Sequence, residues 1–167
     1  DDLRRLRYQN ACNRCFDKVI SHSNHIIQRV NIPFDGKTAY GLFEAPLDTK
    51  SAPCLILVPG MDMFKEDWHH IIETMVLPRS WSAFAIDGPG QGESLTHGLK
   101  VGLNNYEAVI SKVIDWLIER PEVDPENIML MGVSMGSYWG ARAAAREKRI
   151  KSIATMMACY GSKHIIF

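Results

Sequence analysis

The chain has 167 residues, enough for one domain with a real core, and its 46% apolar and 23% charged content is ordinary for a globular protein. Nineteen Lys and Arg balance nineteen Asp and Glu, so the composition excludes a strongly basic surface for nucleic acid or anionic lipid. No apolar run approaches the roughly 18–20 residues that span a bilayer, so no membrane partner is expected.

Residues 3–20 read as an amphipathic helix, with Leu3, Leu6, Cys12, Cys15, Phe16, Val19 and Ile20 recurring at helical spacing. Arg4, Arg5, Arg7 and Arg14 occupy the remaining face, which is expected to be solvated. Cys12 and Cys15 form a C-x-x-C, but a structural zinc would want four ligands and no second pair lies nearby. They are expected to be small half-buried residues, and no metal is expected. Cys54 and Cys159 sit in apolar runs and read as core. This cysteine usage fits a reducing compartment, hence a cytoplasmic location.

Residues 26–34 and 38–45 flank Asp35-Gly36, a strong hairpin signal, with Pro33 marking an edge strand or strand end. Cys54 to Val58 is a continuous apolar run of the kind found in buried parallel strands, and it ends at Pro59-Gly60. Residues 66–75 place Trp68, Ile71, Ile72 and Met75 on one helix face. A strand over 81–86 leads into the Gly/Pro loop of residues 87–92. Asn104 and Glu107 resemble a capping box at the start of a helix that runs to about Arg120. The alternation of strands and helices predicts an α/β class with right-handed crossovers.

Ile128 to Met131 then runs into Gly132-Val133-Ser134-Met135-Gly136, followed by a helix narrow enough, through Ala141, Ala143, Ala144 and Ala145, to pack closely on a sheet. Strand, Gly-x-Ser-x-Gly and helix are the parts of a nucleophile elbow. A serine hydroxyl is a weak nucleophile and must be presented bare to a base and a substrate. A sharp turn does this by straining the serine backbone, and Gly132 and Gly136 supply room on its two sides. The following helix points its first N–H groups at the site, which favours developing negative charge. One further apolar strand lies within 150–160.

This order of parts resembles the N-terminal half of an α/β-hydrolase fold, a mostly parallel sheet opened by an antiparallel hairpin, ending after the strand that follows the elbow. Two stretches narrow the resemblance. Residues 59–67, Pro-Gly-Met-Asp-Met-Phe-Lys-Glu-Asp, and residues 87–93, Asp-Gly-Pro-Gly-Gln-Gly-Glu, are similar to loops of the 2,6-dihydroxypseudooxynicotine hydrolase-like esterases. Members of that branch hydrolyse esters or cleave a carbon–carbon bond beside a ketone, some on aromatic or polyketide substrates. Helical material before the core is also a feature of the branch. Residues 1–24 are therefore expected to be a helical segment, the remnant of a cap, and 25–167 the N-terminal part of the core.

The resemblance implies Ser134 as nucleophile, with the backbone N–H groups of Met61 and Met135 as oxyanion donors. It implies no organic cofactor. In this fold the acid and base follow the serine along the chain. Glu147 is the only carboxylate after Ser134 and falls on the elbow helix, while His164 arrives too early. The Asp and His of the triad are therefore expected outside this sequence, in a protein of roughly double the length, as a single such domain commonly needs about 200–250 residues. His69 and His70 fall on a helix and read as surface or core, whereas His97 sits in a loop that could face the site. The expected function is a serine hydrolase acting on a small-molecule ester or activated ketone. The alternative is a non-catalytic binding module on the same fold, since function lives in sites and not in folds. A homodimer is compatible with the sequence.

Overall fold

A computed structural model describes residues 2–158. Helix α1 (Asp2–His22) precedes a hairpin of β1 (Ile26–Phe34) and β2 (Lys37–Ala45). The hairpin turns on Asp35 and Gly36, both left-handed at φ 47° and 67°, as a two-residue primed turn requires. Its ladder runs without a slip from Ile26 opposite Ala45 to Phe34 opposite Lys37. Pro33 lies in β1, an edge strand, where a missing N–H is tolerated.

Strands β3 (Ala52–Val58), β4 (Ser82–Asp87), β5 (Val123–Val133) and β6 (Ile150–Met156) complete a six-stranded sheet in the order β1-β2-β4-β3-β5-β6. The β1–β2 and β2–β4 pairings are antiparallel and the other three are parallel. Both faces of the central strands are covered. Ile56, Phe84, Ile86 and Leu130 pack under α4 (Asn105–Leu117) and α5 (Met135–Arg146). Leu57, Ala83 and Ala85 pack on the other face against Trp68, Ile72 and Val76. This two-sided burial explains why β3 and β4 read as unbroken apolar runs.

The segment expected to be one regular helix at 66–75 is a chain of short turns instead. It runs as a 3-10 turn (Lys65–Trp68), α2 (His69–Ile71), a π-turn (Ile72–Val76) and a second 3-10 turn (Leu77–Arg79). Changing pitch lets Trp68, Ile72 and Val76 all face the sheet, while Met75 is left exposed. The elbow strand begins at Val123, five residues before the expected Ile128, because Ala52 pairs with Val123 and Cys54 with Ile128. The intervening residues bulge out, held by Glu126 N–H donating to Asp124 Oδ1 at 2.9 Å. A short helix, α3 (Gly92–Thr96), follows the Gly/Pro loop without having been anticipated.

Asn104 does not cap α4. Its side chain accepts from Arg142 Nη2 at 3.1 Å, and the same nitrogen pairs with Glu107 at 2.6 Å, so a distant arginine takes both members of the expected box. Cys54 is buried as expected, but Cys12 and Cys15 are exposed. They lie beside the apolar stripe of α1, of which Phe16 alone reaches full burial. Cys159 lies outside the described residues.

Candidate active site

Ser134 ends β5 and precedes α5 with φ 52° and ψ −121°. A left-handed serine is strained and persists only where its surroundings fix it. Ser134 N–H donates to Met156 O at 2.8 Å on β6, and Ser134 O accepts from Ser137 N–H at 2.9 Å. Ser137 Oγ in turn meets the carbonyls of both Gly132 and Met156 at 2.9 Å.

The glycines serve packing even more than strain. A Cβ on Gly132 would lie 2.3 Å from Gly136 O, and one on Gly136 would lie 2.3 Å from Val58 O. The first closes the elbow helix onto its own strand. The second brings that helix against the end of β3, and hence against the loop that begins at Pro59. That loop passes directly beside the serine, with a Cβ on Gly60 meeting Ser134 Cβ at 3.3 Å.

Met135 is the first residue of α5, so its N–H has no partner within the helix. Met61 follows Gly60 in the adjoining loop and is exposed. Met135 thus follows Ser134 directly, and Met61 follows the Gly60 backbone that approaches the Ser134 side chain.

A network that spacing did not reveal holds this loop. Gln91, buried in the loop after β4, donates through Nε2 to Pro59 O at 2.9 Å and Gly60 O at 2.8 Å. Its Oε1 accepts from the Tyr106 hydroxyl at 2.6 Å and from Gly88 N–H at 3.2 Å. Tyr106 is itself stacked on Trp139 of α5, ring centroids 4.6 Å apart.

Beneath it lies Lys65, almost fully buried, whose ammonium meets Asp87 at 3.0 Å, Glu66 at 2.9 Å and Glu93 at 2.8 Å. Burial pulls the ammonium pKa down, but the three carboxylates outweigh it and hold the pKa above its ordinary value. Burial pushes the Asp87 carboxyl up, opposed by Lys65. Asp87 also accepts the backbone N–H groups of Lys65 at 2.8 Å and Glu93 at 2.9 Å. A Cβ on Gly92 would sit 2.2 Å from Asp87 Oδ2, so this position, at φ 41°, is closed to any side chain. Both loops that resemble the esterase branch are therefore tied to one buried cation.

A cavity of about 530 Å³ opens beside Met61. Tyr8, Cys12 and Arg5 of α1 form one wall, Met61, Met63 and Phe64 a second, and Leu95 and Thr96 of α3 a third. Arg5 reaches the rim of this wall while staying exposed, as are Arg4, Arg7 and Arg14, in keeping with the solvated face expected for them.

The histidines lie elsewhere. His97 packs on the Tyr40 ring at 5.1 Å, His25 and His69 contact Glu44, and His22 and His70 are exposed. Among the described residues no histidine or carboxylate is bonded to Ser134 Oγ. His164 lies outside the described residues. Glu147, on the far end of α5, is engaged by Ser111 and Arg149.

The family model for the alpha/beta hydrolase fold matches residues 53–165. The chain belongs to the α/β-hydrolase family. Among curated relatives, it is 34% identical to 20-hydroxy-prefusarin hydrolase FUS2 of Gibberella moniliformis, over 91% of this chain and 38% of that protein. It is 29% identical to Hydrolase LUC6 of Fusarium sp, over 93% of this chain and 39% of that protein. Among solved structures, it superposes on 2,6-dihydroxy-pseudo-oxynicotine hydrolase with a TM-score of 0.78 at 27% identity, over 90% of this chain and 42% of that one. The chain thus spans about two-fifths of the length of these proteins. As an α/β-hydrolase it carries the antiparallel β2 and the parallel strands up to β6, with Ser134 at the carboxyl end of β5. Among the described residues no helix is long and apolar enough to cross a membrane.

Proposed function

We propose that the protein is a serine hydrolase in which Ser134 attacks a carbonyl and the N–H groups of Met61 and Met135 hold the resulting oxyanion. The observation that carries this reading is the left-handed Ser134 at φ 52°, ψ −121°, wedged between the end of β5 and the backbone of Gly60. The base and its orienting acid would come from chain outside these residues. Loss of one oxyanion donor costs roughly 3–4 kcal/mol in comparable hydrolases.

The cavity beside Met61 supports an apolar acyl or aromatic group as part of the substrate, because Tyr8, Met61, Met63, Phe64 and Leu95 line it. Similar proteins include a 20-hydroxy-prefusarin hydrolase and a 2,6-dihydroxy-pseudo-oxynicotine hydrolase. Here we infer a small-molecule ester or an activated ketone whose carbon–carbon bond is cleaved. Helix α1 acts as part of the cap, since it forms a wall of that cavity.

The test is Ser134→Ala in the full-length protein. Turnover and labelling by a fluorophosphonate probe are both expected to vanish while the fold persists. Activity near wild type in that variant would end the proposal. Labelling of wild type at Ser134 separates it from a non-catalytic module. Rates on nitrophenyl esters against β-diketones separate ester from carbon–carbon cleavage.

A further inference from the structure

Away from the elbow, β2 buries a second carboxylate. Glu44 is fully buried near the end of β2, and two imidazoles converge on it. His25 Nε2 lies 2.8 Å from Glu44 Oε2, and His69 Nδ1 lies 3.0 Å from the same oxygen. The two rings face each other at 5.9 Å with only 22° between their planes. This fixes one nitrogen of each ring against the carboxylate and turns the other outward.

The outward nitrogen of His69 meets another acceptor. His69 Nε2 lies 3.6 Å from Glu73 Oε2, one helical turn away. If Nδ1 carries the proton that Glu44 accepts, Nε2 presents a lone pair to a carboxylate. A cation between the two would stabilise that arrangement. The distance suits a metal better than a direct hydrogen bond, since ligands about 2.0–2.1 Å from a tetrahedral zinc lie about 3.4 Å apart. One ligand atom from each of His25, His69 and Glu73 lies within 4.8 Å of the others. His25 Nδ1 meets the Ser23 hydroxyl at 2.9 Å and Asn24 Oδ1 at 3.4 Å, contacts that an ion would displace, and the hydroxyl can then donate to His25 O at 3.1 Å.

We propose that His25, His69 and Glu73 bind a divalent ion of the zinc class, with Glu44 orienting both imidazoles from behind. A carboxylate that takes the second ring N–H of a metal-bound histidine is the usual outer partner of such sites. The fourth position faces a cavity of about 640 Å³ that His25 and Glu73 help to line. That leaves room for water or a small anion on the metal. The ion would join three separate segments: the α1–β1 connection through His25, the irregular helical stretch through His69 and Glu73, and the sheet through Glu44. It would fix the N-terminal helix to the core from the end of the sheet opposite Ser134.

The test uses the full-length protein stripped with a chelator and titrated with Zn²⁺ against a chromophoric competitor. One ion per chain is expected, and Co²⁺ in its place should give the visible spectrum of a tetrahedral site. Glu73→Gln decides the matter. That side chain is 44% exposed, so the variant should fold, and its affinity should fall at least tenfold. Glu44→Gln should weaken binding about 10- to 100-fold, as outer-shell losses do. His69→Gln, should it fold, must lose the ion as well. Cys12 and Cys15 are the exposed competing pair, and Cys12→Ser/Cys15→Ser must retain the ion. Absence of stoichiometric binding, binding indifferent to Glu73→Gln, or loss of the ion in the cysteine variant would each overturn the proposal.

Discussion

Strand β2 runs between two buried acidic clusters that solve one problem in opposite ways. Tyr40 pairs with Asp87 at the carboxyl end of β4, and Glu44 pairs with Ala83 at its other end, roughly 14 Å along the strand. Burial raises the pKa of both carboxyls, Asp87 and Glu44, the latter to about 8. At the carboxyl end of β4 the partner is Lys65, whose ammonium three carboxylates hold charged, and two backbone N–H groups join it. At the far end the partners are the imidazoles of His25 and His69. The lesson is that the loops beside Ser134 rest on a buried cation held by three carboxylates, whereas the far end of β2 rests on a carboxylate shared between two imidazoles.

The comparison breaks hardest at Lys65. Lys65→Met strands three buried carboxylates, and the expected loss is about 3–5 kcal/mol of unfolding free energy by urea titration. A loss below 1 kcal/mol would mean that the cluster is hydrated and not a buried cation site.

Gln91→Ala tests whether that rigidity reaches the chemistry. It removes both bonds to the Pro59 and Gly60 carbonyls, and the rate of fluorophosphonate labelling at Ser134 is expected to fall roughly 10- to 100-fold. An unchanged rate would detach the Gly/Pro loop from the site.

At the far end, Glu44→Gln in chelator-treated protein should change stability by no more than about 1 kcal/mol, because burial already favours the neutral acid that glutamine imitates. A loss of several kcal/mol would show Glu44 to be a charged anchor like Asp87.

The smallest effect comes from a pair outside both clusters. The hydrogen bond from Arg149 lowers the Glu147 pKa from 4.5 to about 2. Because the folded value is depressed, the stabilisation is complete above pH 4.5 and disappears as pH falls toward 2. It should be worth less than about 1 kcal/mol for a pair at the surface, and Arg149→Ala should flatten that acid limb of the stability curve.

Much of this architecture is legible in the residue order, and what is hidden has a common cause. Asp35-Gly36 demands a primed turn, continuous apolar runs demand two-sided burial, and Gly132 and Gly136 bracket Ser134 whatever surrounds them. These are local constraints. Lys65-Glu66-Asp67, by contrast, reads as an exposed polar turn, yet Lys65 is buried because Asp87 and Glu93, far along the chain, receive its charge. Glu44 looks like an outward residue within an alternating strand, but β2 is covered on both faces and His25 and His69 supply its partners. The capping box failed for the same reason, since Arg142 reached Asn104 and Glu107 from another helix. Pairings between distant residues leave no spacing to read.

Gln91 grips the carbonyl of Gly60, and that carbonyl shares one planar trans peptide with the N–H of Met61. The two ends of a trans peptide point in opposite directions. Pinning the oxygen therefore fixes the direction of the Met61 N–H on the other side of the plane. Rotation of this one plane would reverse the local dipole and set a carbonyl against any incoming negative charge. The amide of Gln91 works as a latch against that flip. For the oxyanion role proposed for Met61, the N–H is then set before a substrate arrives, and none of the barrier has to be spent on turning it.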